Sequence, residues 1–332
     1  MPMKQVVLIT GGTGTLGREV TRQILAADPS VTVRILSRDD HKQADMAVDF
    51  AQHAERLRFL VGDVRDYGRL VEASRGVHLV IHAAALKRVE KAERDPEEYK
   101  RTNVDGTINA AKAALETRVR KFLFVSTDKA VNPITFYGAT KMMAECHVMA
   151  MRNVAGARPT RFAVVRYGNV MGSRGSVVAI FEQAARLGVP IPIPITHPDM
   201  TRFWVTVEQA AAFVLAAARD MEGAEVFVPK LPSIRITDLA AAIAPGREQK
   251  ISGIRGSEKI HEELIPAWVA RRTIEQAGRY ITMPMEDGLP RPRSKWAGLA
   301  LVRPGFSYAS DTNTQWLSVA DLRGMLAHDV AA

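Results

Sequence analysis

One cysteine, Cys146, stands among 332 residues, so no intramolecular disulfide can form and a reducing compartment fits. No apolar run reaches the roughly 18 residues needed to cross a bilayer. The opening Met-Pro-Met-Lys leads directly into a strand, without a signal-peptide pattern. A cytoplasmic protein with no membrane partner is the expectation. Repeats and low-complexity tracts are missing, and so are basic tracts. The formal charge is +9 and the pI about 9.8, which favours anionic partners. Yet lysine and arginine are dispersed, Arg271-Arg272 and the Arg291, Arg293, Lys295 stretch being the densest groups. That pattern suits solvated surface, so no nucleic-acid partner is expected. No metal site is expected either. Cys146 falls inside a helical stretch, Met142–His147, and reads as a packed thiol rather than a nucleophile.

What is present is apolar material, 47% of the chain, enough for one large domain or two modest ones sharing a cleft. The first half alternates short apolar runs with amphipathic stretches. Strands are predicted at Gln5–Thr10, Val31–Ser37, Leu57–Val61, His78–His82, Lys121–Ser126 and Arg161–Tyr167. Helices are predicted at Leu16–Ala27 and, as one long element, Glu97–Arg118. This rhythm predicts the α/β class: a doubly wound parallel Rossmann sheet covered by helices. After Tyr167 the rhythm breaks at Gly172, Gly175 and the run Pro190 to Pro194, because proline fixes φ and removes donors. Regular signals return at Val207–Arg219 and Glu225–Val228, and a loop-rich region follows from Lys230. Residues 1–170, with a returning segment near 203–228, are expected to form the cofactor domain. Residues 171–202 and 229–332 are expected to form a smaller substrate-binding region.

Thr10-Gly11-Gly12-Thr13-Gly14-Thr15-Leu16-Gly17 lies between the first strand and the first helix. Gly11, Gly14 and Gly17 recur every three residues, a variant of the dinucleotide fingerprint. Glycine there permits the tight turn, the close approach of pyrophosphate and the packing of helix on sheet. The helix N-terminus adds free N–H groups and partial positive charge. Gly11, Thr13, Gly14, Thr15, Leu16 and Gly17 are the candidate phosphate-loop contacts. After the second strand come Ser37, Arg38, Asp39, Asp40, His41 and Lys42. Ser37, Arg38 and Lys42 could hold a ribose 2′-phosphate, which favours NADP, while the acidic pair leaves NAD open. Asp63 could accept from the adenine amino group or cap a helix. Val64, Ala83, Ala84 and Ala85 complete the expected cofactor side.

The most informative segment is Ser126-Thr127-Asp128-Lys129, then Tyr137-Gly138-Ala139-Thr140-Lys141. The fifth strand delivers Thr127, Asp128 and Lys129 at its carboxyl end, where ligands bind in open α/β sheets. Tyr137 and Lys141 are four apart and share one helix face. A phenol near pKa 10 is a poor base at neutral pH, and a nearby lysine cation would lower it.

These residues resemble the extended short-chain dehydrogenase/reductases, specifically the inverting UDP-N-acetylglucosamine 4,6-dehydratases of the polysaccharide biosynthesis protein family. The resemblance rests on Thr127-Asp128-Lys129, on Tyr137 through Lys141 and on Arg166-Tyr167-Gly168-Asn169-Val170-Met171-Gly172 continuing to Val177. It extends through Ala85-Leu86-Lys87, Met200 to Trp204, Glu258-Lys259-Ile260-His261-Glu262 and Asn313 to Leu317. It is strongest to the soluble members that open pseudaminic acid biosynthesis, for nonulosonic acid or surface glycans.

The resemblance implies an intramolecular redox cycle, catalysed by a hydro-lyase with bound NADP. Tyr137, assisted by Lys141 and Thr127, would deprotonate the sugar 4-hydroxyl as C4 is oxidised. Lys129 would remove the acidified C5 proton, and Asp128 would protonate the departing 6-hydroxyl. Hydride returns to C6, and C5 is reprotonated from the opposite face. Lys87, Asn169, Val177, Arg202, Arg255 and Glu258 carry over as UDP-sugar contacts. For Lys87 a plain surface position is an equal reading. Gly256-Ser257 departs from the Pro-Gly that relatives carry, which puts that turn in doubt. A homo-oligomer is implied by the family alone. Two other readings remain at this point. A UDP-sugar 4-epimerase would share the Tyr/Lys pair but needs no C5 base, so Asp128-Lys129 speaks against it. A non-catalytic NADPH-binding regulator or scaffold would have no use for Thr127, Tyr137 and Lys141.

Overall fold

A computed structural model describes residues 5–172, 177–186, 192–254, 256, 258–286, 289–290 and 294–331. Six short apolar runs form parallel strands: β1 (Val6–Thr10), β2 (Thr32–Ser37), β3 (Leu57–Val61), β4 (Leu79–His82), β5 (Lys121–Val125) and β6 (Arg161–Val165). β1, β4, β5 and β6 read as nearly unbroken apolar runs because helices cover both faces of a parallel sheet. Three later strands extend the sheet: β7 (Val226–Pro229), β8 (Thr273–Gln276) and β9 (Arg279–Thr282). The order across it is β8-β9-β7-β6-β5-β4-β1-β2-β3. β7 joins parallel to β6, and β9 and β8 are added antiparallel. Strands β3-β2-β1-β4-β5-β6 thus form the doubly wound arrangement. The order reverses between β1 and β4, which opens a crevice at their carboxyl ends.

Helix α1 (Thr15–Ala27) packs with α6 (Val207–Asp220), and α4 (Gly106–Glu116) packs with α3 (Tyr67–Ser74) and α5 (Phe136–Ala155). α2 (Asp40–Asp49) follows β2. A second core is built from Met171, Phe181, Ile193, Met200, Trp204, Ile234 and Leu239. Its frame includes a three-stranded sheet in which Thr201–Val205 lies between Asn169–Val170 and Ser233–Arg235. This second core sits beside the carboxyl-end loops and supplies the other wall of the cleft.

Several expectations change. The long helix over 97–118 is interrupted: Pro96–Lys100 leads into a π-helical turn at Arg101–Asp105 before α4 begins. The wider turn places Asn103 where its side chain donates to the Leu86 carbonyl and to Thr140 Oγ1, and accepts from the Leu86 N–H. One amide therefore ties the loop after β4 to α5. β6 ends at Val165 rather than Tyr167, and the Arg166 side chain turns to the buried Glu145. Residues 273–282, expected in the substrate region, belong to the main sheet. Cys146 is exposed on α5, not packed.

Gly17 sets how α1 meets the sheet. A Cβ there would stand 2.5 Å from Gly12 Cα and carbonyl oxygen, against backbone that cannot swing aside. Gly17→Ala should cost about 1–3 kcal/mol of unfolding free energy in urea. It should also reduce the upward Tm shift expected on adding a nicotinamide dinucleotide, because α1 moves off the glycine loop. An unchanged shift would show that this contact does not set the loop.

Candidate active site

The crevice widens into a cleft of ≈ 1500 Å³. Every site residue expected from the sequence lines it except Arg255, which lies outside the described residues, as does Ser257.

On the dinucleotide side, Gly11 has φ +67°, and a Cβ on it would come within 2.8 Å of Ala84 backbone atoms. The loop is pressed on the end of β4 as a pyrophosphate cradle requires, with Gly14, Thr15 and the α1 N-terminus beside it. After β2, Asp39 is occupied. Its side chain caps α2 by accepting the Lys42 N–H at 3.0 Å, and it also pairs with Lys42 Nζ. Ser37 Oγ accepts from Gln43. Arg38, half exposed, lies 3.6 Å from Asp63. Asp63 is not a helix cap, since Asp66 caps α3, and Asp63 instead accepts from the Arg65 backbone and guanidinium.

On the catalytic side, β5 ends at Val125 and the chain turns through a 3₁₀ segment at Asp128–Ala130. Thr127 Oγ1 donates to Asp128 Oδ1 at 2.7 Å and accepts the Lys129 N–H at 3.4 Å. Thr135 caps α5 by accepting the Gly138 N–H, so that Tyr137 sits in the first turn and Lys141 one turn further on the same face. Both are buried.

Burial pushes the Tyr137 phenol up to about 12, although Lys129 and a hydrogen bond with Thr127 act to lower it. Burial also pulls Lys141 down to about 7, against the Glu145 carboxylate, and its Nζ donates to the Val125 carbonyl at 2.8 Å over the Phe124 ring. Lys129 is thus a cation acting on Tyr137 that the sequence did not mark. Lys129 Nζ lies 3.1 Å from Asp128 Oδ1 and 3.3 Å from Glu262 Oε1. Burial opposes its charge, but the two carboxylates outweigh burial and hold its pKa above the usual lysine value.

On the side where the sequence places sugar contacts, Asn169, Val177, Arg202, Glu258 and the exposed Lys87 all line the cleft. The Arg202 guanidinium is buried and donates to the carbonyls of Thr201, Lys259 and Ile260, so it also secures the 258–262 segment. Asp128 Oδ2, Asn169 Oδ1, Glu258 Oε2 and Ser126 Oγ are buried without a hydrogen-bond partner, yet their residues line the cleft. Buried polar atoms are nearly always paired, and these four exceptions all belong to residues that wall the cleft. Sequence reasoning missed Glu262 as the second carboxylate on Lys129, although it closes the quoted 258–262 segment. It also missed the buried Glu145–Arg166 pair behind Lys141. Glu145 stands four residues beyond Lys141, a spacing that could have marked it.

Residues 7–283 match the family described as polysaccharide biosynthesis protein. A Campylobacter jejuni protein named UDP-N-acetylglucosamine 4,6-dehydratase (inverting) is 43% identical over 331 residues, covering 98% of each chain. A Rickettsia akari UDP-glucose 4-epimerase is 38% identical, covering 86% of this chain and 84% of its own. Among solved structures, Pen from Bacillus thuringiensis superposes with a TM-score of 0.86 at 31% identity, covering 98% of both chains.

The buried Lys141 generates a stability test. Its folded pKa, about 7, lies below that of an unfolded lysine, so the folded state pays the full cost of burying the charge below pH 7. Between pH 7 and about 10 the unfolded state binds more protons, and stability should rise with pH on this account. Lys141→Met removes the effect. The variant's stability relative to the parent should therefore be greater at pH 6 than at pH 10, by on the order of 4 kcal/mol. Parallel curves for the two proteins would show that Lys141 keeps an ordinary pKa.

Proposed function

The chain belongs to the polysaccharide biosynthesis protein family, and from that footing we propose that it is an NADP-dependent UDP-N-acetylglucosamine 4,6-dehydratase that inverts C5. The observation carrying this reading is an acid–base pair, Asp128 and Lys129, set in one cleft with Tyr137. Moving a proton and hydride at C4 alone, as an epimerase does, gives neither residue work. Elimination across C5 and C6 needs both a base and an acid.

The glycine loop and the close approach of Gly11 to Ala84 fit a nicotinamide dinucleotide. When bound, it supplies reversible acceptance of hydride from the sugar. Tyr137 takes the 4-hydroxyl proton, with Thr127 and Lys129 shaping its acidity. Lys129 withdraws the C5 proton that the 4-keto group has acidified. Asp128, whose Oδ2 is unpaired, gives a proton to the departing 6-hydroxyl. Water leaves, and substrate and product stand at the same overall oxidation level. NADP is favoured over NAD because Asp39, the acid that could take a ribose 2′-hydroxyl, is already engaged as a cap and with Lys42, while the half-exposed Arg38 lines the same site.

Incubation with UDP-N-acetylglucosamine and NADP should give a product lighter by one water in mass spectrometry. An isomer of unchanged mass would establish the epimerase reading instead. Tyr137→Phe should lower turnover about 1000-fold while leaving UDP-sugar affinity within about threefold, since only the phenolic oxygen is lost. Turnover near the parent's would remove Tyr137 from the mechanism. Arg38→Glu should weaken NADP at least about tenfold more than NAD, because a like charge replaces a phosphate partner. Equal losses would show that Arg38 does not read the 2′-phosphate.

A further inference from the structure

The catalytic turn after β5 is held from the opposite side by residues 259–263. Lys259 Nζ donates to the Val131 carbonyl, and Asn132 Nδ2 donates to Glu263 Oε2 at 2.7 Å. Between these two clasps Glu262, only 3% exposed, reaches Lys129. Its backbone N–H donates to Ser310 Oγ at 2.9 Å, which fixes the segment. Its Oε1 lies 3.3 Å from Lys129 Nζ and 3.8 Å from Arg202 Nε, while its Oε2 is buried without a partner.

An amine nitrogen has three directions beyond its carbon. Lys129 Nζ donates to Asp128 Oδ1 along one of these, and Glu262 Oε1 stands beside it as an ion-pair partner at 3.3 Å, on the wall opposite the turn from which Lys129 lines the cleft. We infer that Glu262 is a positioning residue for the elimination half-reaction: it aims Lys129 Nζ at C5 and stabilises the ammonium formed when Lys129 takes the C5 proton. The inference rests on the dehydratase reading. In that step the C5–H bond breaks, its electron pair passes into the enolate of the 4-ketone, and the proton becomes the third on Nζ. Glu262 touches neither sugar nor cofactor, and acts only through Lys129.

The charged and titratable groups facing Lys129 are Asp128 on its own turn, Glu262 and Arg202 from the opposite wall, and Tyr137 on α5. Those facing Glu262 are Lys129 and Arg202, its neighbour His261 being engaged with Thr201. Both carboxylates favour the ammonium and Arg202 opposes it, so removing one carboxylate lowers the pH at which Lys129 sheds its proton.

The test follows water loss and solvent deuterium entry at C5 against pH, in the full chain with added NADP. Glu262→Gln keeps the shape and removes the charge. The acidic limb of its profile should move down by at least about one pH unit, and its plateau should fall about tenfold. KM for UDP-N-acetylglucosamine and the rate at which substrate reduces bound NADP should stay within about twofold. Glu262→Asp keeps the charge but withdraws it by one methylene. Its limb should stay in place while its plateau falls, and if Glu262→Gln fails to fold this variant decides alone. A limb that Glu262→Gln leaves unmoved, or a plateau that Glu262→Asp leaves unchanged, overturns the inference while the dehydratase reading stands. A parent enzyme that releases no water overturns both.

Discussion

Gly138 leaves no room for a side chain between α5 and the chain leaving β5. A Cβ on it would fall 2.3 Å from the Lys129 carbonyl oxygen, well inside van der Waals contact with rigid backbone. Two pieces of main chain are thereby locked together, and each carries half of the chemistry. Tyr137 and Lys141 flank the glycine on the helix side, and Thr127, Asp128 and Lys129 surround the carbonyl on the strand side. Their relative placement is set by backbone packing rather than by flexible side chains. That is the precision a proton relay over hydrogen-bond distances demands. Neighbouring contacts reinforce the lock. The Asn103 amide bonds Leu86 to Thr140, and the 259–263 segment clasps the turn from outside.

The parallel half of this architecture was legible because it is periodic. β3 begins and ends at the residues its apolar run predicts, and the other five core strands agree to within two residues at each end. The glycine loop was legible for a related reason, since its spacing encodes close approaches that the Gly11 and Gly17 contacts display. Local signals failed where tertiary contacts decide. Nothing in the run 97–118 marks the extra residue of the π-helical turn, whose reward is the Asn103 bond to the Leu86 loop. β8 and β9 are four residues each and mix Thr, Glu, Gln and Arg with apolar residues. Their place at the sheet edge comes from pairing with β7, not from an intrinsic pattern. Cys146 was misplaced because α5 carries apolar and small residues on its outer side as well, Met142 and Met143 among them.

The site shows the same division. Residues that touch a ligand lie in motifs, and every described one lines the cleft. Residues that set the charge of those groups come from elsewhere in the chain. Glu262 reaches Lys129 from the second half of the protein, and Arg166 reaches Glu145 from just beyond β6. Spacing along the chain cannot announce such pairs. Their effect on proton affinity is nonetheless large, because burial amplifies every neighbouring charge.

That amplification orders the proposed cycle in time. Tyr137 and Lys129 act on each other: the lysine cation lowers the phenol's pKa, and a phenolate raises the lysine's. Oxidation at C4 needs Tyr137 as a base, so it is favoured while Lys129 is an ammonium, the form that Asp128 and Glu262 hold in place. In the phenolate form that it needs to act as a base, Tyr137 is a third anion beside Lys129, and taking the 4-hydroxyl proton removes that charge. The Lys129 pKa then falls, at the moment when the next step asks it to act as a base at C5. The proposed elimination across C5 and C6 requires a neutral amine beside a carboxylic acid, the pair reached by passing the Lys129 proton to its neighbour. In water this exchange is uphill by roughly 6.5 pKa units. Here Glu262 remains paired with Arg202, so the exchange separates no new charge. Burial of Asp128 lessens the uphill cost further, because desolvation penalises the ion pair and not the neutral pair. In the proposed cycle the first chemical step thus lowers the proton affinity that the second must overcome.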